Sequence, residues 1–123
     1  MRIFKTKHFS KWAKKNLVKD ALLKLAAQEI SENLFEADLG GNVLKKRIAT
    51  KGRGKSRSIR TIVVFKKSNN CFFIYGFDKN EQSNINGSEE KALKIVAKEL
   101  LKFSEATLKS HVNTGKLLEI SNE

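Results

Sequence analysis

VLKKRIATKGRGKSRSIRTIVVFKKSNNCFFIYGF, from Val43 to Phe77, decides the fold. It contains two strongly apolar segments, Ile59–Lys66 and Cys71–Phe77. Both are rich in the β-branched and aromatic residues that suit a pleated surface, and both read as strands. The polar joint Lys67-Ser68-Asn69-Asn70 has the length of a hairpin connection, so the two strands are expected to pair antiparallel. Upstream, Val43–Ala49 alternates loosely and reads as a third strand with a basic outer face. Thr50–Ser58, rich in glycine and lysine, reads as the loop between.

Outward from this stretch the periodicity changes. Arg2–Lys5 reads as a short strand and Phe9–Lys15 as a short basic helix with Trp12 on its inner face. Val18, Ala21, Leu22, Leu25, Ala26 and Ile30 recur at three- and four-residue spacing, which predicts an amphipathic helix over Val18–Asn33. Leu39-Gly40-Gly41-Asn42 breaks that pattern and turns the chain. Beyond the apolar strands, Ser88 is an N-cap with Glu89 and Glu90 in the first turn, and helix is expected to about Phe103. Ser104 opens a further short helix, Glu105–His111, and Gly115–Ile120 reads as a last strand or a segment lying on the core. This order implies an α+β fold: a small antiparallel sheet, two N-terminal helices packed on it and a C-terminal helix. With no proline, repeat or low-complexity tract, residues 1–123 are expected to form a single domain.

At 123 residues with 40% hydrophobic content, a compact core is attainable and wholesale disorder is not expected. The single cysteine cannot form an internal disulfide, which excludes a disulfide-stapled secreted scaffold. No apolar run is long enough to cross a bilayer and no signal-peptide apolar region follows Met1, so the expected location is the cytoplasm, without a membrane partner.

The charge is uneven. Lys and Arg number 25 against 13 Asp and Glu, a net charge of +12. Residues 1–60 hold sixteen basic and five acidic residues, so nearly all of the excess lies there. Between Lys45 and Arg60 stand eight basic residues (Lys45, Lys46, Arg47, Lys51, Arg53, Lys55, Arg57, Arg60) and no acidic one. Such a run repels itself unless an anion lies against it, and nucleic-acid phosphate is the commonest such anion. A solvated loop kept basic for solubility, or a dock for an acidic protein, are the competing readings, and one patch can serve both phosphate and protein.

Arg47-Ile-Ala-Thr-Lys51-Gly-Arg53-Gly-Lys55-Ser-Arg57-Ser-Ile-Arg60, followed by Phe72-Phe-Ile-Tyr75-Gly-Phe77-Asp-Lys79-Asn-Glu81, resembles the RelE/HigB superfamily of bacterial toxins, particularly its phage-derived HigB-like branch. Relatives carry a strand ending R-I/V-A, a basic glycine-containing loop, an arginine opening the next strand, and an aromatic strand ending near K-N-E. The resemblance spans essentially the whole chain. It implies a RelE-like fold and the toxin of a toxin–antitoxin system. It further implies a metal-independent endoribonuclease, without cofactor, that inhibits translation by cleaving mRNA in the ribosomal A site. The implied partners are the ribosome, mRNA and a cognate antitoxin, commonly a helix-turn-helix protein, through which alone DNA would be contacted. Two departures stand out: Arg57-Ser58 replaces the usual glycine pair, and Phe77 stands where some relatives have tyrosine.

Metal-free RNA cleavage requires removal of the 2′-hydroxyl proton, neutralisation of phosphate charge and protonation of the leaving 5′-oxygen. The only histidines, His8 and His111, sit near opposite termini and read as surface or helix-face residues. By resemblance the catalytic cluster is Lys51, Arg53, Lys55, Arg60 and Lys79, with Arg60 clamping the phosphate and Lys79 approaching from the other side. Neighbouring cations favour a neutral lysine, which can then act as base, whereas arginine stays protonated; which lysine is the base is open. Lys51 and Arg53 are as well suited to holding ribosomal RNA backbone as to catalysis. Lys45, Lys46, Arg47 and Arg57 are expected to contact RNA backbone. Two-residue spacing would place Tyr75 and Phe77 on the strand face of Cys71 and Phe73. Phe77 is expected at the strand's exposed end, stacked on a splayed base, and Tyr75 serves either core or RNA. The alternatives are a ParE-like toxin acting on DNA gyrase without nuclease activity, and a non-catalytic nucleic-acid-binding module.

Overall fold

The computed structural model describes residues 1–52, 55–67 and 70–121, with the backbone alone described at 51, 52 and 55–57. The chain runs β1 (Ile3–Thr6), α1 (Lys7–Lys15), α2 (Asp20–Ser31), β2 (Ala37–Gly40), β3 (Val43–Gly52), β4 (Lys55–Phe65), β5 (Cys71–Asp78), α3 (Gly87–Leu101), α4 (Glu105–Asn113) and β6 (Leu117–Ile120). The strands form one six-stranded sheet in the order β2-β3-β4-β5-β1-β6. The fold is therefore α+β and RelE-like, but its sheet is larger than expected and not wholly antiparallel. β1 lies parallel to β5, with Ile3 opposite Cys71, while β6 pairs antiparallel on its other side. Sequence order could not reveal that pair, because the partners are nearly seventy residues apart.

The sheet is covered on both faces, which explains why Ile62, Val63 and Val64 are all buried rather than alternating with polar residues. On the first face α1 and α2 contribute Phe9, Ala13, Leu23, Ala26 and Ile30 to a core with Ile59, Val63, Cys71 and Phe73. On the second, α3 and α4 contribute Ala97, Leu100 and Leu108 to a core with Phe4, Ile62, Phe72 and Phe77. Each large side chain fully buried there, such as Phe9 or Leu23, stabilises the fold by about 1.5–3 kcal/mol.

Local chemistry sets the element ends. The Thr6 hydroxyl accepts from Phe9 N–H and starts α1 at Lys7, two residues earlier than expected. Leu17, at φ 58, turns the chain out of α1 before α2 begins. Asn86 rather than Ser88 caps α3: its side chain accepts from Glu89 N–H while the Glu89 carboxylate accepts from Asn86 N–H, a reciprocal capping box. Ser104 caps α4 as the sequence predicts. The Gly40-Gly41-Asn42 turn takes three consecutive positive φ angles, and it joins β3 to a strand, β2, absent from the sequence reading.

Two findings reshape the centre. Thr50–Ser58 is not an extended loop: β3 continues through Gly52 and β4 begins at Lys55, so strand pairing runs almost to the tip. A β-bulge also interrupts β5. Ile62 lies opposite Tyr75 and Val63 opposite Phe73, so Ile74 is the extra residue. The bulge moves Tyr75 and Phe77 to the opposite face from Cys71 and Phe73, against the two-residue alternation expected from sequence.

Candidate nucleic-acid interface

Strand register sets where the cations stand along the sheet. Along β3 and β4, Arg47 lies opposite Arg60, Thr50 opposite Arg57, Lys51 opposite Ser56 and Gly52 opposite Lys55. Along β4 and β5, Arg60 lies opposite Phe77 and Ile59 opposite Asp78. Lys79, one residue past β5, donates its N–H to the Ser58 carbonyl at 3.1 Å. The backbone positions of Arg60 and Lys79 thus fall at the end of β5, whereas those of Lys51 and Lys55 lie on the β3–β4 hairpin that continues past the last β4–β5 pair, Ile59 with Asp78. Arg53 lies outside the described residues, as do the side chains of Lys51, Lys55 and Arg57.

Arg60 is a held cation rather than a free one. It is 8% exposed, and its Nε lies 2.8 Å and 3.0 Å from the two carboxylate oxygens of Glu36. Its Nη1 donates to the Ser58 hydroxyl. A guanidinium has five N–H groups, so these contacts fix its plane and leave further donors for a phosphate. Glu36 also lies 3.7 Å from Lys45, whose ammonium donates to Asn84 Oδ1 at 3.4 Å. Glu36 is the residue that sequence reading missed. It stands outside the basic run, and only the β2–β3 turn returns it beside β3, where its N–H donates to the Lys45 carbonyl at 2.8 Å.

The remaining residues divide. Lys46 is buried, its ammonium 3.1 Å from Glu29 and donating to the Leu34 carbonyl at 2.8 Å. It ties α2 to the sheet and does not face outward as an RNA contact would. Arg47 and Lys79 are exposed. Phe77 is 4% exposed and packs in the second core, so it is not at an open strand end. The bulge is the reason. Tyr75 is half-buried, and its hydroxyl donates to Glu89 at 2.9 Å. Burial, and then the adjacent Glu89 carboxylate, push its pKa up. The His8 ring lies parallel to that of Tyr75, with centroids 6.1 Å apart. His111 is engaged elsewhere, beside Phe103 and the Thr107 carbonyl. Among the described residues no group of three or more His, Cys, Asp or Glu is placed to hold a metal.

A two-face-covered α+β sheet with basic strands converging at one end defines a small protein suited to bind a polyanion there. The family model described as the RelE toxin of the RelE / RelB toxin–antitoxin system matches residues 1–120. The chain belongs to that family: it is the toxin of a toxin–antitoxin system, and its partner is a cognate antitoxin. No curated protein matches it. No helix among the described residues is long and apolar enough to cross a membrane.

Proposed function

We propose that this toxin is a metal-independent endoribonuclease that cleaves mRNA in the ribosomal A site and so arrests translation in the cytoplasm, with residues 1–123 acting as one domain. The observation that carries this reading is the register of β3, β4 and β5, which sets Arg60 and Lys79 at the end of β5 and the backbone of Lys51 and Lys55 on the basic hairpin that continues past it. Arg60, oriented by Glu36 and Ser58, holds the non-bridging oxygens of the scissile phosphate. A lysine of the hairpin removes the 2′-hydroxyl proton. The 2′-oxygen then bonds to phosphorus, the bond to the 5′-oxygen breaks, and a second cation-borne proton goes to that oxygen. The ribosome supplies the substrate geometry, bringing the 2′-oxygen into line with the leaving oxygen. Lys45, Arg47 and Arg57 contribute charge toward the RNA backbone.

The test is inducible expression with mapping of mRNA 5′ ends, comparing wild type with Lys55→Ala and Arg60→Ala. Codon-phased cuts that disappear in either variant are expected. Growth arrest with intact mRNA and broken DNA would instead identify a gyrase poison, and no arrest at all a binding module.

A further inference from the structure

α1 sets a second group of cations beside the sheet. β1 pairs with β5 only from Cys71 to Phe73, after which the chain turns into α1 and packs beside the rest of β5. Trp12 fixes that contact, lying against Gly76 and tilted on Phe9. Residues three, four and seven apart share one face of a helix, so His8, Lys11, Trp12 and Lys15 form a single row. Between this row and Tyr75 opens a groove of about 450 Å³, within the roughly 300–1,000 Å³ range of small-ligand sites.

The charge of that row is unanswered. Arg2, Lys5, Lys45, Lys46, Arg60 and Lys94 each pair with a carboxylate. α1 carries no acidic residue, and Lys11 and Lys15, both exposed, form no ion pair among the described residues. Like charges along one helix face repel unless an anion lies against them. Beside these ammonium groups stand aromatic ring faces. The exposed His8 ring lies within 3° of parallel to Tyr75, with centroids 6.1 Å apart, and the Tyr75 ring is 6.3 Å from Phe77. Glu89 accepts from the Tyr75 hydroxyl and holds that ring in place. Cations next to flat ring faces suit a single-stranded nucleotide, its phosphate on the ammonium groups and its base on the rings. Phe77 stands opposite Arg60 on the neighbouring strand, so the groove opens beside the guanidinium of the candidate interface.

We propose that the α1–β5 groove binds one nucleotide of single-stranded RNA on the Tyr75 side of Arg60, its base stacked on the His8–Tyr75 pair and its phosphates on Lys11 and Lys15. Asp78 and Glu81, from β5 and the turn after it, border the same groove. Their carboxylates accept from the N–H groups of a base and repel phosphate, so they set which end of the nucleotide enters. An acidic peptide would answer the lysines but meet these carboxylates and leave the ring faces without a partner. Duplex RNA keeps its base faces inside its own stack.

The proposal rests on the RNA substrate of the nuclease reading but is read by binding, so the two fail separately. The probe is a short 2′-O-methyl adenosine oligonucleotide, which cannot be cut through its 2′-oxygen, titrated into the intact toxin. In NMR spectra the His8 ring protons are expected to move upfield, the mark of a base above them, and emission of Trp12, the lone tryptophan, gives Kd. Inorganic polyphosphate and the same strand in a duplex are expected to give no upfield shift. His8→Ala removes the outer ring of the platform and is expected to raise Kd by about fivefold or more. Lys11→Ala is expected to reduce the slope of log K against log salt by about 0.7. Arg60→Ala is expected to keep the upfield shift while losing codon-phased cuts. No upfield shift with the oligonucleotide, the same shift with polyphosphate, or wild-type Kd in His8→Ala would overturn the proposal. So would protection of the Lys11 and Trp12 amides by the protein encoded in the adjoining reading frame with no response to RNA, which would mark the groove as a protein dock. A toxin that binds the probe here yet cuts no mRNA would sink the nuclease reading and leave the groove standing.

Discussion

Replacing Gly76 by alanine tests how α1 is held against β5. A Cβ built on Gly76 would stand 2.3, 2.5 and 2.6 Å from three ring carbons of Trp12. Carbon atoms in contact settle at about 3.5–4.0 Å, so the ring must retreat by roughly 1 Å or more. It has little room, because it also packs against Phe9 with centroids 5.5 Å apart and lies against the first core. Overpacking of this kind costs about 1–3 kcal/mol. For a chain of this length about 2 kcal/mol lowers Tm by roughly 6–10 °C. Urea and thermal unfolding measure the loss, and emission of the lone tryptophan reports movement of the ring itself. The decisive measurement is a double-mutant cycle. In a Trp12→Ala background the added methyl meets no ring, and Gly76→Ala is expected to cost less than about 0.5 kcal/mol. Equal costs in the two backgrounds would refute the reasoning, because the loss would then arise from the β5 backbone and not from the indole.

Further outcomes follow from individual contacts. Burial pushes the Cys71 thiol up to about 12, so iodoacetamide at pH 8 is expected to leave it unmodified in the native protein and to label it after unfolding in urea; rapid native labelling would contradict its position in the first core, with Phe9 and Leu23. Asn86→Ala removes one half of the α3 capping box and is expected to cost about 1 kcal/mol in urea unfolding, with Asn86→Asp retaining most of it. Glu119 is held below the usual carboxylate range, chiefly by its hydrogen bonds from Arg2, and Glu89 chiefly by the Asn86 N–H and then by Tyr75. Depressed carboxylates contribute stability above their ordinary value and lose it as pH falls through the folded one. Stability is therefore expected to decline below about pH 4.5, and Arg2→Ala to flatten that decline by about 1 kcal/mol or less, as measured by urea midpoints between pH 3 and 7.

Much of the fold was legible because it rests on local pattern. The spacing of Leu22, Ala26 and Ile30 specifies a helix wherever the chain goes, and the Val, Ile and Phe runs specify strands. The basic concentration from Lys45 to Arg60 was equally plain. Which of those cations face solvent was not. Lys46 and Arg60 look like their neighbours in sequence, yet each is buried against a carboxylate, Glu29 and Glu36, delivered by a separate element. Glycines at 52 and 54 argued for a loop, but cross-strand pairing of β3 with β4, from Ala49 opposite Ser58 to Gly52 opposite Lys55, carries both arms past the last β4–β5 pair, Ile59 with Asp78.

By itself, then, the order of residues determined the helices and the apolar strands, the excess of positive charge and where along the chain it lies, but not β2 or the extension of β3 and β4 toward their tip. Tertiary structure alone decided which faces those residues occupy. One extra residue at Ile74 turns Tyr75 and Phe77 to the opposite side of the sheet, because strand alternation has a period of two and a single insertion inverts it. It also decided that β1 lies between β5 and β6, and that β3 outruns β2 to leave an edge open. Such pairings join residues far apart in the chain, and their energy comes from contacts that no local window contains.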